Sequence, residues 1–248
     1  MQVSMRGLLL ATVFAFVNNG LAQNAAKPAL TAEQIIDKAI EVTGGRAARE
    51  KITSTRFQGT LEIPSMAVKG PLDYYAKAPN KLATVVAIEG YGEERSGFDG
   101  RIAWADNPQG SRLLEGASLE RARREAVFNP ELKWRELYPK VDLLRRDKVG
   151  DREVYVIQLA PASGRPMIAY YDTETFLTLR QDSETDTQDG PAMAQNYLTD
   201  YREVDGVKTP FSIRRVRPDI ELRIQISKQE NNVPIDDAKF ARPVAKPQ

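Results

Sequence analysis

Alternation of apolar and polar side chains with a period of two governs this chain from Ser54 to Lys228. Phe57, Gly59, Leu61 and Ile63 alternate with Arg56, Gln58, Thr60 and Glu62, and near the other end Ile220, Leu222, Ile224 and Ile226 alternate with Glu221, Arg223, Gln225 and Ser227. A period of two puts the two sets on opposite faces of a sheet. The pattern predicts strands over 54–63, 66–77, 81–89, 93–98 and 101–105, then over 141–148, 152–160, 167–172, 176–185, 192–203, 211–216 and 220–228. Turn chemistry separates them at Ala78-Pro79-Asn80, Asp99-Gly100, Gly150-Asp151, Asp189-Gly190 and Asp205-Gly206. Strands joined by such short turns run antiparallel. Helical residues are too few to wrap both faces of a large sheet, so a curved antiparallel sheet with one apolar concave side is expected.

Two helical stretches break the pattern. Thr31 as N-cap with Gln34 at N3 forms a capping box, Leu30 and Ile35 a hydrophobic staple, and Ile35, Ile36, Ala39 and Ile40 one apolar face, before Gly44-Gly45 ends the helix. The second stretch covers 117–138. Ser118 is suited to cap a helix bearing Leu119, Ala122, Ala126 and Val127, and Asn129-Pro130 to open another, with Trp134, Leu137 and Tyr138 on one side and Pro139 as its stop.

The first residues read as a targeting segment. Arg6, the apolar run Gly7–Val17 and Gly20-Leu21-Ala22 form the n-region, h-region and cleavage site of a signal peptide over 1–22, too short in its apolar part to span a bilayer. A flexible leader, 23–30, would lead into a single domain over 31–243, followed by a tail, 244–248. Loss of Arg6 brings 35 basic and 34 acidic residues to balance, which speaks against nucleic acid as a partner. The chain holds neither Cys nor His. Disulfides, lipid-modified cysteine, thiol or Ser-His-Asp catalysis and His- or Cys-ligated metals are thereby excluded. A cysteine-free exported chain fits the periplasm.

Other chemistry weakens on inspection. Glu93-Glu94 invites acid–base work, but adjacent strand residues face opposite ways. An acidic run from Asp182 lacks the Gly and Glu spacing of a calcium loop. Arg121, Arg123, Arg124, Arg145 and Arg146 read first as a solvated face, with a rim that holds an acidic head group or partner as the alternative. No catalytic residue, metal site or cofactor is expected, and an enzyme is not.

Several stretches carry a resemblance: Phe57-Gln58-Gly59-Thr60-Leu61; Tyr74-Tyr75-Ala76-Lys77-Ala78-Pro79-Asn80-Lys81; Gly97-Phe98-Asp99-Gly100-Arg101-Ile102-Ala103-Trp104; Tyr201-Arg202-Glu203-Val204-Asp205-Gly206; and Val233-Pro234-Ile235-Asp236-Asp237-Ala238-Lys239-Phe240. In this order, around a helical interruption and behind a signal peptide, they resemble the LolA/LolB-like outer-membrane lipoprotein-sorting superfamily. The resemblance implies a mainly β (α+β) fold, an unclosed antiparallel half-barrel of about 11–12 strands, with an N-terminal helix and a central helical lid. It implies non-enzymatic binding or carriage of acyl chains, lipids or lipoproteins in the periplasm, with envelope membrane proteins as further partners. A sensor or protein-interaction module on the same scaffold is the alternative. Phe57, Leu61, Tyr74, Val86, Phe98, Trp104, Tyr155, Tyr170, Tyr197 and Phe211 are carried over as members of an apolar lining, with Trp134, Leu137 and Tyr138 on the lid above Phe57, Tyr74 and Trp104.

Overall fold

The computed structural model describes residues 30–187 and 190–243. The expected signal peptide, nearly all of the expected leader, the expected tail and Asp189 of one expected turn lie outside the described residues. Helix α1 (Ala32–Val42) and the short α2 (Gly45–Arg49) precede six strands, β1 (Ser54–Ile63), β2 (Val68–Lys77), β3 (Lys81–Ile88), β4 (Gly92–Phe98), β5 (Ala103–Asn107) and β6 (Gly110–Leu114). A cover segment follows, made of α3 (Gly116–Glu125), a 3-10 turn (Pro130–Lys133) and α4 (Trp134–Leu137). Seven strands complete the chain: β7 (Lys140–Val149), β8 (Arg152–Ala160), β9 (Met167–Asp172), β10 (Thr178–Thr187), β11 (Gly190–Val204), β12 (Val207–Val216) and β13 (Glu221–Asn231).

All of these strands join one antiparallel sheet in the order β6-β5-β4-β3-β2-β1-β13-β12-β11-β10-β9-β8-β7, curved and not closed into a barrel. β1 and β13 meet at the centre, and the cover segment joins the two edge strands. The sheet has 13 strands, one beyond those read from the pattern. The strand passed over is β6, a short edge strand that begins Gly-Ser-Arg and follows a tight turn in which Asn107 Oδ1 accepts from the Gln109 and Gly110 amides. Asp99-Gly100 is not a two-residue hairpin either: Asp99 Oδ1 accepts from the amides of Arg101 and Ile102, rounding a longer connection.

Paired residues on neighbouring strands share a face. The row Ile157–Ala169–Gln181–Asn196–Arg215–Leu222 therefore crosses β8 to β13 on one face, and Ile224–Leu61 and Leu72–Val86 continue it through β1 to β3. This is the inner face, because α1 packs on Ile157, Leu159, Ala169 and Tyr171. The outer face is crossed by Val156–Tyr170–Arg180–Tyr197–Arg214–Arg223 and, nearer β5, by Arg56–Tyr75–Ala83–Gly97–Trp104. The C-terminal residues cross the outer face. Ile235 and Phe240 bury Tyr75 and Ala83, and Trp104 Nε1 donates to the Phe240 carbonyl at 2.9 Å.

Candidate functional site

Three apolar patches lie along the inner face. Beneath α1, Ala32, Ile35, Ile36 and Ala39 join Trp134, Ile157, Leu159, Ala169 and Tyr171. Beneath α3, Leu119 and Ala122 meet Phe98, Ala103, Ala126, Leu82 and Leu114. Between them is a strip from β1, β2, β3 and β13, in which Leu61, Ile63, Leu72 and Val86 are flanked by Phe57, Tyr74, Leu222 and Ile224. Among the described residues, no apolar side chain of α1, α3 or α4 joins this central strip.

The groups bordering the strip combine depth with access. Tyr74 stacks on Phe57 with ring centres 4.2 Å apart. Desolvation drives its phenol pKa well up, and the carboxylates of Glu131 and Glu125 add to the rise, yet the residue keeps accessible surface. Tyr201 and Arg215 show the same combination, as does Tyr138 in the neighbouring α1 patch: desolvation shifts each toward its neutral form, and each is still partly accessible. Tyr74 lies on the inner face close enough to the cover segment for Glu131 and Glu125 to act on its phenol.

The cover is held at α4 by Trp134, buried in the patch under α1, and elsewhere largely by polar contacts. Arg49 is buried in α2, where its Nη2 donates to Thr43 Oγ1 at 2.9 Å and its Nη1 pairs with Glu131 of the 3-10 turn at 3.3 Å. Asn129 Nδ2 donates back to the carbonyls of Arg49 and Ile52. Asn129 is left-handed and bonds across to α2 instead of capping the turn that follows. Likewise Ser118 does not cap α3, which begins earlier, at Gly116. Arg121 of α3 pairs with Glu184, which also binds Arg165, and Arg124 donates to the Ser163 carbonyl.

The residues expected to line one cavity divide three ways. Phe57, Leu61, Tyr74, Val86, Phe98 and Tyr155 do face inward. Trp104, Tyr170 and Tyr197 face outward: Trp104 lies under the C-terminal residues, Tyr170 donates to Asp182, and Tyr197 is flanked by the guanidinium groups of Arg180 and Arg214. A strand alternates its faces residue by residue, so an aromatic count carries no face information until the register is known. Phe211 is buried under the guanidinium of Arg202 beside left-handed Asp200, where the β11–β12 pairing skips a position.

Trp134 and Tyr138 belong to the patch under α1 and not to the strip that holds Phe57 and Tyr74, Trp104 faces the other side of the sheet, and Leu137 is half-buried outside the apolar patches. Trp134 is 5% exposed, and its Nε1 donates to Asp37 of α1. It is a wedge between α1 and the sheet.

Pattern reading passed over Arg49 and Arg215. The second left a signal, since Arg215 falls at an inward position in the same alternation as Ile213. Glu93 is spent on Arg95, and Asp182 on Arg180 and Tyr170. Among the described residues no three His, Cys, Asp or Glu side chains gather as metal ligands, and no helix is long and apolar enough to cross a membrane.

No protein-family model and no curated protein matches the chain. Solved structures do. A DUF1329 family protein from Desulfovibrio piger superposes with a TM-score of 0.57 at 13% identity, over 85% of this chain and 97% of that one. A LolA superfamily protein from Nitrosomonas europaea gives 0.55 at 16% identity, over 86% and 99%. A protein from Vibrio parahaemolyticus, assigned as an outer membrane lipoprotein-sorting protein domain, gives 0.53 at 11% identity, over 84% and 97%. The chain thus has the LolA-like fold.

Proposed function

We propose that this protein is a non-enzymatic binder and carrier of acyl chains, borne by lipids or lipoproteins, in the periplasm. The observation that carries the reading is the apolar central strip of the inner face, where Leu61, Leu72 and Val86 are packed with Phe57, Tyr74, Leu222 and Ile224 and, among the described residues, no apolar side chain of the covering helices joins them. The fold shared with a LolA superfamily protein and a lipoprotein-sorting domain supports it, as does the export signal read at 1–22. Each methylene taken from water contributes about 0.8 kcal/mol, so ten give roughly 8 kcal/mol, the scale of a micromolar, releasable complex.

The test is titration of delipidated protein with a fluorescent fatty acid, alongside native mass spectrometry of protein taken from its own envelope. Saturable uptake is expected, weakened at least tenfold by Ile224→Asp, which puts a charge on the strip at a partly exposed position. Absence of saturable uptake, with no lipid mass carried from the envelope, would overturn the reading in favour of a sensor or interaction module.

A further inference from the structure

Arg215 is a cation set into the apolar face. It lies between Asn196 and Leu222 in the inner row, one strand from the central strip. Its Nε donates to Asn196 Oδ1 at 2.6 Å, and Asn196 is itself buried, with its Nδ2 donating to the Gln181 carbonyl. Among the described residues no carboxylate forms an ion pair with this guanidinium; Glu125 of α3 acts on it only through space, and Arg217 opposes that effect. Desolvation lowers its pKa from the ordinary arginine value. An arginine still remains charged, because its starting value is so high.

Arg215 is only partly buried, but a charge held on an apolar face is still normally paired, because even partial removal from water is a cost that a counter-charge offsets. The other deep arginine of the site obeys this rule, since Arg49 has Glu131. Arg215 has one neutral partner, which fixes the plane of its fork, and among the described residues its two outer nitrogens make no hydrogen bond to a protein acceptor. A guanidinium fork matches a carboxylate or phosphate in two parallel hydrogen bonds. We infer that Arg215 is the anchor for the anionic head of an amphiphile whose acyl chain lies along Leu222, Ile224, Leu61 and Leu72. This rests on the acyl-chain reading above and adds polarity to it: the ligand enters with a defined end and carries one negative group, the carboxylate of a fatty acid or the phosphate of a phospholipid.

The experiment uses the whole delipidated protein and displacement of a neutral fluorescent acyl probe by oleate, oleyl alcohol and oleoyl lysophosphatidate. Wild type should bind at least one of the anions tenfold or more tighter than the alcohol. A stronger lysophosphatidate would mark a phospholipid source and a stronger oleate a free fatty acid, and both support the anchor. Arg215→Gln should bind the alcohol as wild type does and lose the preference, while Arg215→Lys should recover part of it. Asn196→Asp supplies the missing counter-charge without removing the arginine, and it too should abolish the preference. Wild type that binds all three compounds equally, or Arg215→Gln that keeps the preference, overturns the anchor while sparing the acyl-chain reading. If none of the three displaces the probe, both fall.

Discussion

Helices α1 and α3 cover two flanks of the same sheet face and are held there by different forces. α1 has a complete capping box, with Gln34 N donating to Thr31 Oγ1 and Thr31 N to Gln34 Oε1, and it buries Ala32, Ile35, Ile36 and Ala39. Trp134 is wedged beside it and bonded to Asp37. Among the described residues, α3 buries none of its own side chains, and no side chain caps its N-terminus. Its firm ties are ionic or polar, through Arg121, Arg124 and the neighbouring Arg49–Glu131 pair. Apolar burial is lost outright when a helix lifts, whereas polar ties are largely replaced by water. One flank is therefore built to stay and the other to part, and the central apolar strip lies between them.

Three experiments would break or sharpen that contrast. The largest effect is expected at the wedge. Trp134→Ala should cost about 3–5 kcal/mol in urea unfolding, as large-to-alanine changes in a core do, against about 1 kcal/mol or less for Leu119→Ala under α3. Equal losses at the two sites would erase the distinction. A smaller effect is expected at the helix starts. Thr31→Ala should cost about 1 kcal/mol by removing a working cap. Glu115→Ala at the start of α3 should fall within about 0.5 kcal/mol of zero, there being no cap to lose.

The smallest effect is a control on the outer face. Lys81 and Lys77 hold the exposed Asp237 carboxyl down at about 2. A folded-state pKa below the unfolded one stabilises above the ordinary aspartate value, and the contribution disappears as pH falls through the folded value. In a Trp134→Phe variant, Trp104 emission should therefore report loosening of the C-terminal residues as pH drops from ~4 to ~2, the window between ordinary and folded values. In Asp237→Asn that transition should be absent. A transition at the same pH seen by Trp134 in a Trp104→Phe variant would couple the two faces and spoil the control.

The fold was legible wherever a local rule has one outcome. Thr31, Gln34, Leu30 and Ile35 define α1 without help from the rest of the chain. The alternation in β1 and β13 shows two strands whose faces differ in character, and those two pair at the sheet's centre. The failures occurred where placement depends on distant residues. Trp104 and Phe98 look alike in sequence, yet pairing sets Phe98 inward with Ala103 and Trp104 outward with Gly97. Asn129-Pro130 carries a valid helix-start signal, but the Asn129 side chain is claimed by carbonyls of Arg49 and Ile52, some eighty residues away. The apolar strip was visible as periodicity. The charged groups beside it went unread, because an arginine at an inward position means little until its neighbours are known.

The strand order has a mechanical consequence. β6 and β7 are the free rims of the open sheet, and the chain from Glu115 to Pro139 runs between them as their covalent link. A cover hinged on one rim could swing aside while its container kept its width. A cover tied to both rims behaves as a drawstring. Any guest thick enough to spread the rims must pull on α3 and the Pro130–Lys133 turn, and anything that pulls those two inward narrows the mouth. Uncovering and widening are then a single degree of freedom, and on the carrier reading proposed above the slack in one segment of chain would set the largest guest the sheet admits.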